Sequence, residues 1–138
     1  MDYQMVVYDA TTGVATVQIP TIPKILTGLD KLVQIVVLYF LRNPGKAVLQ
    51  PVEGSGLRAD IGSYNTTIDG AEIRALAIQR TQAGQQEIIS RQSANQGTPD
   101  ERLKSLILRD FAYDESTLMT VLKVQVINEA GDSTNVLV

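Results

Sequence analysis

The chain has 138 residues, long enough for one domain to bury a core without staples. It has no cysteine and no histidine, which excludes disulfides, thiolate metal sites and every Ser-His or Cys-His dyad. The net charge of −3 and a pI near 4.8, with basic residues scattered, argue against nucleic acid as the main partner.

The N-terminus, "MDYQMVVYDA", carries an acid at position 2 and no basic stretch, so no secretory leader is expected and folding in a cytoplasm is. Residues 3–19 read as a hairpin. Tyr3, Met5 and Val7 alternate with Gln4, Val6 and Tyr8, "DATTG" turns, and Val14, Thr16 and Gln18 alternate with Ala15, Val17 and Ile19. Pro20 and Pro23 end the second strand, because proline cannot donate to a ladder.

Residues 27–45, "TGLDKLVQIVVLYFLRNPG", carry conflicting signals. Val33, Ile35, Val36 and Val37 favour a strand by propensity. The spacing Leu29, Leu32/Val33, Val36, Tyr39/Phe40 and the length favour a helix, buried nearly all round. A helix is the better reading, stopped by Asn43-Pro44-Gly45. Its apolar run, 29–41, holds Asp30, Lys31 and Gln34 and falls short of the ~20 apolar residues of a membrane span. No membrane partner is expected.

Residues 42–57, "RNPGKAVLQPVEGSGL", hold two prolines, three glycines and Glu53. An extended piece at "KAVLQ" and one helical turn in "SGLRADIGSYN" are possible within and after this loop. A second helix is expected over about 72–92. Asp69 and Glu72 have capping-box spacing, and Ile73, Leu76/Ala77, Ala83 and Ile88 form a narrow apolar stripe. Arg74, Gln79, Arg80, Gln82, Gln85, Gln86, Arg91 and Gln92 make the rest polar, a face either half-solvated or reserved for a partner.

"GTPDERL" reads as a brief turn, although Thr98, Pro99 and Glu101 also fit a helix start. A strand follows over about 104–113, with Ile107, Phe111 and Tyr113 expected on one face and Leu106 and Leu108 on the other. "LMTVLKVQVI" (118–127) is the clearest strand, "NEAGD" turns, and "STNVLV" is a last strand. The fold class is therefore α+β. It has an N-terminal β-hairpin, two main helices with a Pro/Gly loop between them, and a C-terminal three-stranded antiparallel sheet. One domain, 1–138, divides into a hairpin extension (1–26), a helical part (27–96) and the sheet (97–138).

Three chemistries are open to these residues. Glu53 with Asp60 or Asp69 is the best carboxylate pair for glycoside hydrolysis, but any chain with fifteen acids offers such pairs, and a loop salt bridge explains Glu53 as well. "EGSGLR", with Arg58 close by, suggests an anion cradle, yet it matches neither the P-loop nor the dinucleotide pattern. Sharp turns at Gly54 and Gly56 account for it more simply. No catalytic residue, cofactor or metal ligand is expected. The third chemistry is assembly. A last strand at the edge of the meander can accept a strand from another chain. A hairpin or loop of the same chain can equally cover that edge.

The order of features "TGLDKLVQIVVLYFLRNPGKAVLQPVEGSGLR" resembles the signature of the baseplate wedge / sheath-initiator family of contractile phage tails, whose catalogue name is lysozyme-like. Pro44-Gly45, Pro51, Glu53, Gly54-Ser55 and Leu57 match its loop in order and approximate spacing, and "LKSLILRDFAYDESTLMTVLKVQVINEAGDSTNVLV" is similar to its C-terminal ending. The resemblance covers roughly 27–138. One feature departs from it: many members carry a Glu-Pro-Arg triplet after the second helical region, where this chain has "SRQSANQGTPDERL", with Pro99, Glu101 and Arg102 in another order.

The resemblance implies a structural protein of the virion, assembled in the host cytoplasm. Its place would be the tail baseplate, in a ring of six copies around the tail tube. Its sheet would receive the extended arm of the first ring of tail sheath protein through Thr134, Asn135, Val136, Leu137 and Val138. Baseplate wedge proteins or the tube would meet the loop (Pro44, Gly45, Pro51, Glu53, Gly54, Ser55, Gly56, Arg58) and the polar helix face (Arg74, Arg80, Arg91). A peptidoglycan-degrading tail enzyme and another tail-completion protein are the alternatives.

Overall fold

A computed structural model describes residues 5–8, 12, 14–17, 22, 24–45, 54–57, 70–94, 97–114, 116 and 119–138. Among them are β1 (Val6–Tyr8), β2 (Ala15–Val17), α1 (Gly28–Leu41), α2 (Gly70–Ser93), β3 (Leu103–Asp114), β4 (Met119–Asn128) and β5 (Ser133–Leu137). β3, β4 and β5 form a three-stranded antiparallel meander in that order, so the arrangement is α+β. β1 and β2 pair antiparallel, from Val6↔Val17 to Tyr8↔Ala15. The turn "DATTG" lies mostly outside the described residues, as do Pro20 and Pro23. So do "KAVLQ", Asp60, Asp69 and most of "SGLRADIGSYN".

α1 settles the conflict between propensity and period in favour of period. Leu32, Val33, Val36, Val37, Tyr39 and Phe40 are all buried, and burial on this scale outweighs the few tenths of a kcal/mol that β-branched residues lose in a helix. Each such side chain contributes ~1.5–3 kcal/mol when taken from water. They meet Leu122, Val124 and Val126 of β4, Val136 of β5 and Leu103 and Leu106 of β3 in one core. The helix ends where the sequence suggests: its last residue is Leu41, and Arg42 is already extended (φ −86°, ψ 140°) just before Asn43-Pro44-Gly45.

The start of α1 is capped from a distance. Thr27 makes no side-chain cap bond. Instead Glu101, from the turn before β3, accepts from the Gly28 N–H (3.4 Å) and pairs with Lys31 Nζ (2.7 Å). That turn closes with the Glu101 N–H donating to the Thr98 carbonyl and the Arg102 N–H to the Pro99 carbonyl. Residues 98–102 are thus the brief turn, not a helix start. Asn128, fully buried, ties the same turn to the β4–β5 connection. Its Nδ2 donates to the Asp100 carbonyl (3.1 Å) and the Asp132 carboxylate (3.3 Å), and its Oδ1 accepts from the Asp132 N–H (2.7 Å).

β3 departs from simple alternation. The register slips between Leu103 and Ser105 and again between Leu108 and Asp110. An extra residue in one strand flips every later side chain to the opposite face. Leu106, Leu108, Phe111 and Tyr113 consequently stand opposite Val126, Val124, Leu122 and Thr120 on one face, while Ile107 stands opposite Gln125 on the other. The expected grouping of Ile107 with Phe111 and Tyr113 is therefore wrong, because it assumed an unbroken period of two.

α2 buries a stripe of mostly small residues: Ile73, Ala77, Thr81, Gly84 and Ile88. Small residues allow close approach, and α2 crosses α1 where Gly84 meets the Tyr39 ring. A Cβ at position 84 would stand 2.4 Å from Tyr39 Cε1.

Candidate functional site

The loop after α1 is a helix cap built from a distant piece of chain. A helix leaves its last carbonyls without intrahelical donors. Here the Arg42 N–H donates to the Leu38 carbonyl (3.0 Å), and the Ser55 N–H to that of Tyr39 (2.9 Å). Ser55 Oγ donates to the Phe40 carbonyl (3.0 Å) and accepts from the Leu57 N–H (3.2 Å). The Gly56 N–H reaches the Arg42 carbonyl (3.4 Å). Ser55 is 1% exposed, so the bonds that it makes lie away from water.

The glycines make this approach possible. Gly54 has φ +119°, and a Cβ there would lie 2.4 Å from the Arg42 carbonyl oxygen. Gly56 has φ +67° and sits against Pro44. Of the loop residues singled out from the sequence, Gly54, Ser55 and Gly56 are buried, while Pro44 and Gly45 are exposed. Pro51, Glu53 and Arg58 lie outside the described residues, so the carboxylate pair imagined for Glu53 has no geometry here.

The polar face of α2 divides into parts. Arg74 is exposed. Arg91 pairs with Glu87 one turn earlier, and Arg80 approaches Gly56. Burial pushes the Glu87 carboxyl above its ordinary value even with Arg91 against it. The Tyr39 phenol is likewise raised, first by burial and then by the Glu87 charge, with Arg80 and Arg91 pulling the other way. Two glutamines of this face have turned inward. Gln85 Oε1 accepts from the Leu106 N–H (2.9 Å). Gln92 Oε1 accepts from the Leu103 N–H (2.7 Å), and Gln92 Nε2 donates to the Glu101 carbonyl (3.0 Å). α2 thus caps the outer edge of β3, a role that the sequence reading missed. A run of glutamines in a helix looks solvated, and only the sheet beside it shows the difference.

The other edge of the sheet is β5. Leu122 and Val138 exchange both main-chain bonds at 2.9 Å. Antiparallel pairs alternate between bonded and non-bonded, so Val136 and Thr134 also face β4, while the main-chain groups of Asn135 and Leu137 point away from it. On that outer side Leu137 forms a parallel bridge with Val14. Thr134 and Val138 are half-buried and Asn135 is exposed, whereas Val136 is fully buried in the core.

The residues that stand where the resemblance expects Glu-Pro-Arg have internal partners. Glu101 holds the start of α1, Arg102 pairs with Glu129 at 3.3 Å, and the Pro99 carbonyl accepts from the Ala130 N–H (3.3 Å). Among the described residues, no group of three or more Asp or Glu could hold a metal ion, and no helix is long and apolar enough to cross a membrane. No family model, curated protein or solved structure matches this chain.

Proposed function

We propose that the chain is a non-enzymatic structural component of a contractile tail, seated on the baseplate. It starts sheath growth by taking a strand from the first sheath ring onto β5. The observation that carries this reading is the asymmetry of the sheet. The β3 edge is met by Gln85 and Gln92 of α2, while β5 is the last strand of the meander and pairs, among the named strands, only with β4. Main-chain bonding at such an edge gives affinity with little demand on side chains.

In this reading residues 1–26 are a hairpin extension. The exposed Pro44, Gly45 and Arg74 face the wedge proteins or the tube. Six copies in a ring turn weak individual contacts into firm seating. No cofactor, metal or nucleic acid takes part.

Deleting "NVLV" would be a poor test, because it removes the buried Val136 and both bonds between Val138 and Leu122. Asn135→Lys is cleaner. Residue 135 is exposed, so the core is untouched, and a lysine on an edge strand disfavours addition of a further strand. The variant should unfold within a few degrees of wild type but fail to seed sheath on baseplate–tube complexes, as judged by electron microscopy. Sheaths of normal length and number on the variant would refute the reading.

A further inference from the structure

Leu122 exchanges both main-chain bonds with Val138, so Leu122, Val124 and Val126 turn toward β5. Their partners across the ladder, Phe111, Leu108 and Leu106, therefore turn their own main-chain groups outward, away from β4. Leu103, opposite Asn128, and Tyr113, opposite Thr120, do the same. Side-chain oxygens accept from this outward row at intervals. Gln92 takes the Leu103 N–H (2.7 Å), Gln85 the Leu106 N–H (2.9 Å) and Asp110 the N–H of its own neighbour, Phe111 (2.8 Å). The first two oxygens come from α2, and the third belongs to an exposed residue of β3 itself.

We infer that Gln85, Gln92 and Asp110, together with the register slip between Leu108 and Asp110, shield this edge from the same edge of a second copy of the chain. The inference concerns the side of the sheet opposite β5 and holds whether or not β5 receives a strand.

The spacing of the caps carries the argument. An added strand bonds to consecutive outward residues, and no two of these in a row escape a cap. Leu108 lies between the Gln85 and Asp110 caps, and Tyr113 lies beyond the second. The slip adds a second obstacle, since an extra residue bends the strand and breaks the even row that a partner would need. Such devices are how exposed edges avoid pairing with other chains. A second copy is the partner to be kept off. β3 is a 12-residue strand, and about a two-fold axis it offers itself an antiparallel equivalent of the same length. α2 stands over the Leu103–Leu106 end, so the joint would form farther along, where it is Asp110 that interrupts the row.

Asp110→Val removes the cap and its charge from an exposed position and supplies a side chain that favours strands. Lys123→Val is the control. It places the same apolar side chain on the exposed position paired with residue 110, on the central strand and away from the edge. Light scattering across a concentration series and amide exchange read the result, with circular dichroism to verify folding. Asp110→Val should shift from the wild-type mass to twice that mass as concentration rises, with slowed exchange over residues 108–113. Deleting Arg109 as well, which removes the slip, should move the shift to lower concentration. Lys123→Val should keep the wild-type mass. Asp110→Ala carries the same test if valine disturbs the fold.

A folded Asp110→Val or Asp110→Ala that keeps the wild-type mass throughout overturns the shield. Equal association of Lys123→Val also overturns it, because added apolar surface would then be the cause. Association without protection of residues 108–113 places the joint elsewhere and overturns it too.

Discussion

Gly84→Ala sets two physical effects against each other. Alanine is the better helix former, and in an open helix interior the change would stabilise by about 0.5–1 kcal/mol. At the α1–α2 crossing the new methyl would stand 2.4 Å from Tyr39 Cε1 and 3.0 Å from both Cδ1 and Cζ. Ordinary carbon contacts are about 3.5–4.0 Å, so the ring or the helix must yield by about 1 Å. The ring has little room to do so. Tyr39 is 7% exposed and packs edge-on against Phe40, with centroids 5.6 Å apart and planes at 82°. Overpacking of this kind costs about 1–3 kcal/mol. The net expectation is a loss of about 1–2 kcal/mol, or roughly 3–7 °C in Tm for an unfolding entropy of ~2.1 cal/mol/K per residue. Thermal and urea unfolding followed by circular dichroism measure it. Tyr39→Leu removes the ring atoms involved, so adding Gly84→Ala to that variant should cost nothing or stabilise it slightly. If Gly84→Ala raises Tm in the wild-type background, the close crossing of α1 and α2 is wrong.

Two further outcomes follow from the same part of the molecule. Ser55→Ala leaves the Phe40 carbonyl and the Leu57 N–H without their partner in a buried place, and should cost about 1–3 kcal/mol in urea unfolding; an unchanged midpoint would mean the helix end is capped by other groups. The Tyr39 phenol is raised in the folded state, so the folded chain holds that proton longer than the unfolded chain; stability is unaffected below the ordinary value of 10.0 and falls as pH rises through the raised one. Urea midpoints compared between about pH 9 and about pH 11 should drop more for wild type than for Tyr39→Phe, and equal drops would remove Tyr39 as the cause.

What was legible in the sequence was whatever repeats locally. The helical period of 29–41 outweighed its β-branched residues, because a run of this length buries its faces as a helix, and α1 is one. The alternation over 118–127 marked β4, and the Gly and Asp of "NEAGD" marked the turn to β5. What stayed hidden depends on partners far along the chain. No glycine or proline marks the slip between Leu108 and Asp110, so nothing local announced that Phe111 and Tyr113 would change face. Ser55 bonds to Phe40 fifteen positions away, and only with both in place does "EGSGL" read as a cap instead of an anion cradle. Gln85 and Gln92 looked like solvated positions until β3 lay beside them. Whether a hairpin of the same chain or a partner strand meets the last edge could not be read locally, and among the described residues Val14 bridges Leu137, far along the chain.

The bonds of Asn128 bear on how the molecule carries load. β5 is joined to β4 over five register pairs, Lys123↔Leu137 to Ser133↔Ile127. A pull along β5 loads that ladder in shear, so its bonds resist together instead of opening one by one. At the end of the ladder Asn128 clamps the β4–β5 connection to Asp100, the neighbouring Glu101 grips Lys31, and Lys31 lies in the first turn of α1. Tension applied at the last strand therefore passes by a short polar route into the most deeply buried helix, without first peeling the sheet from the core.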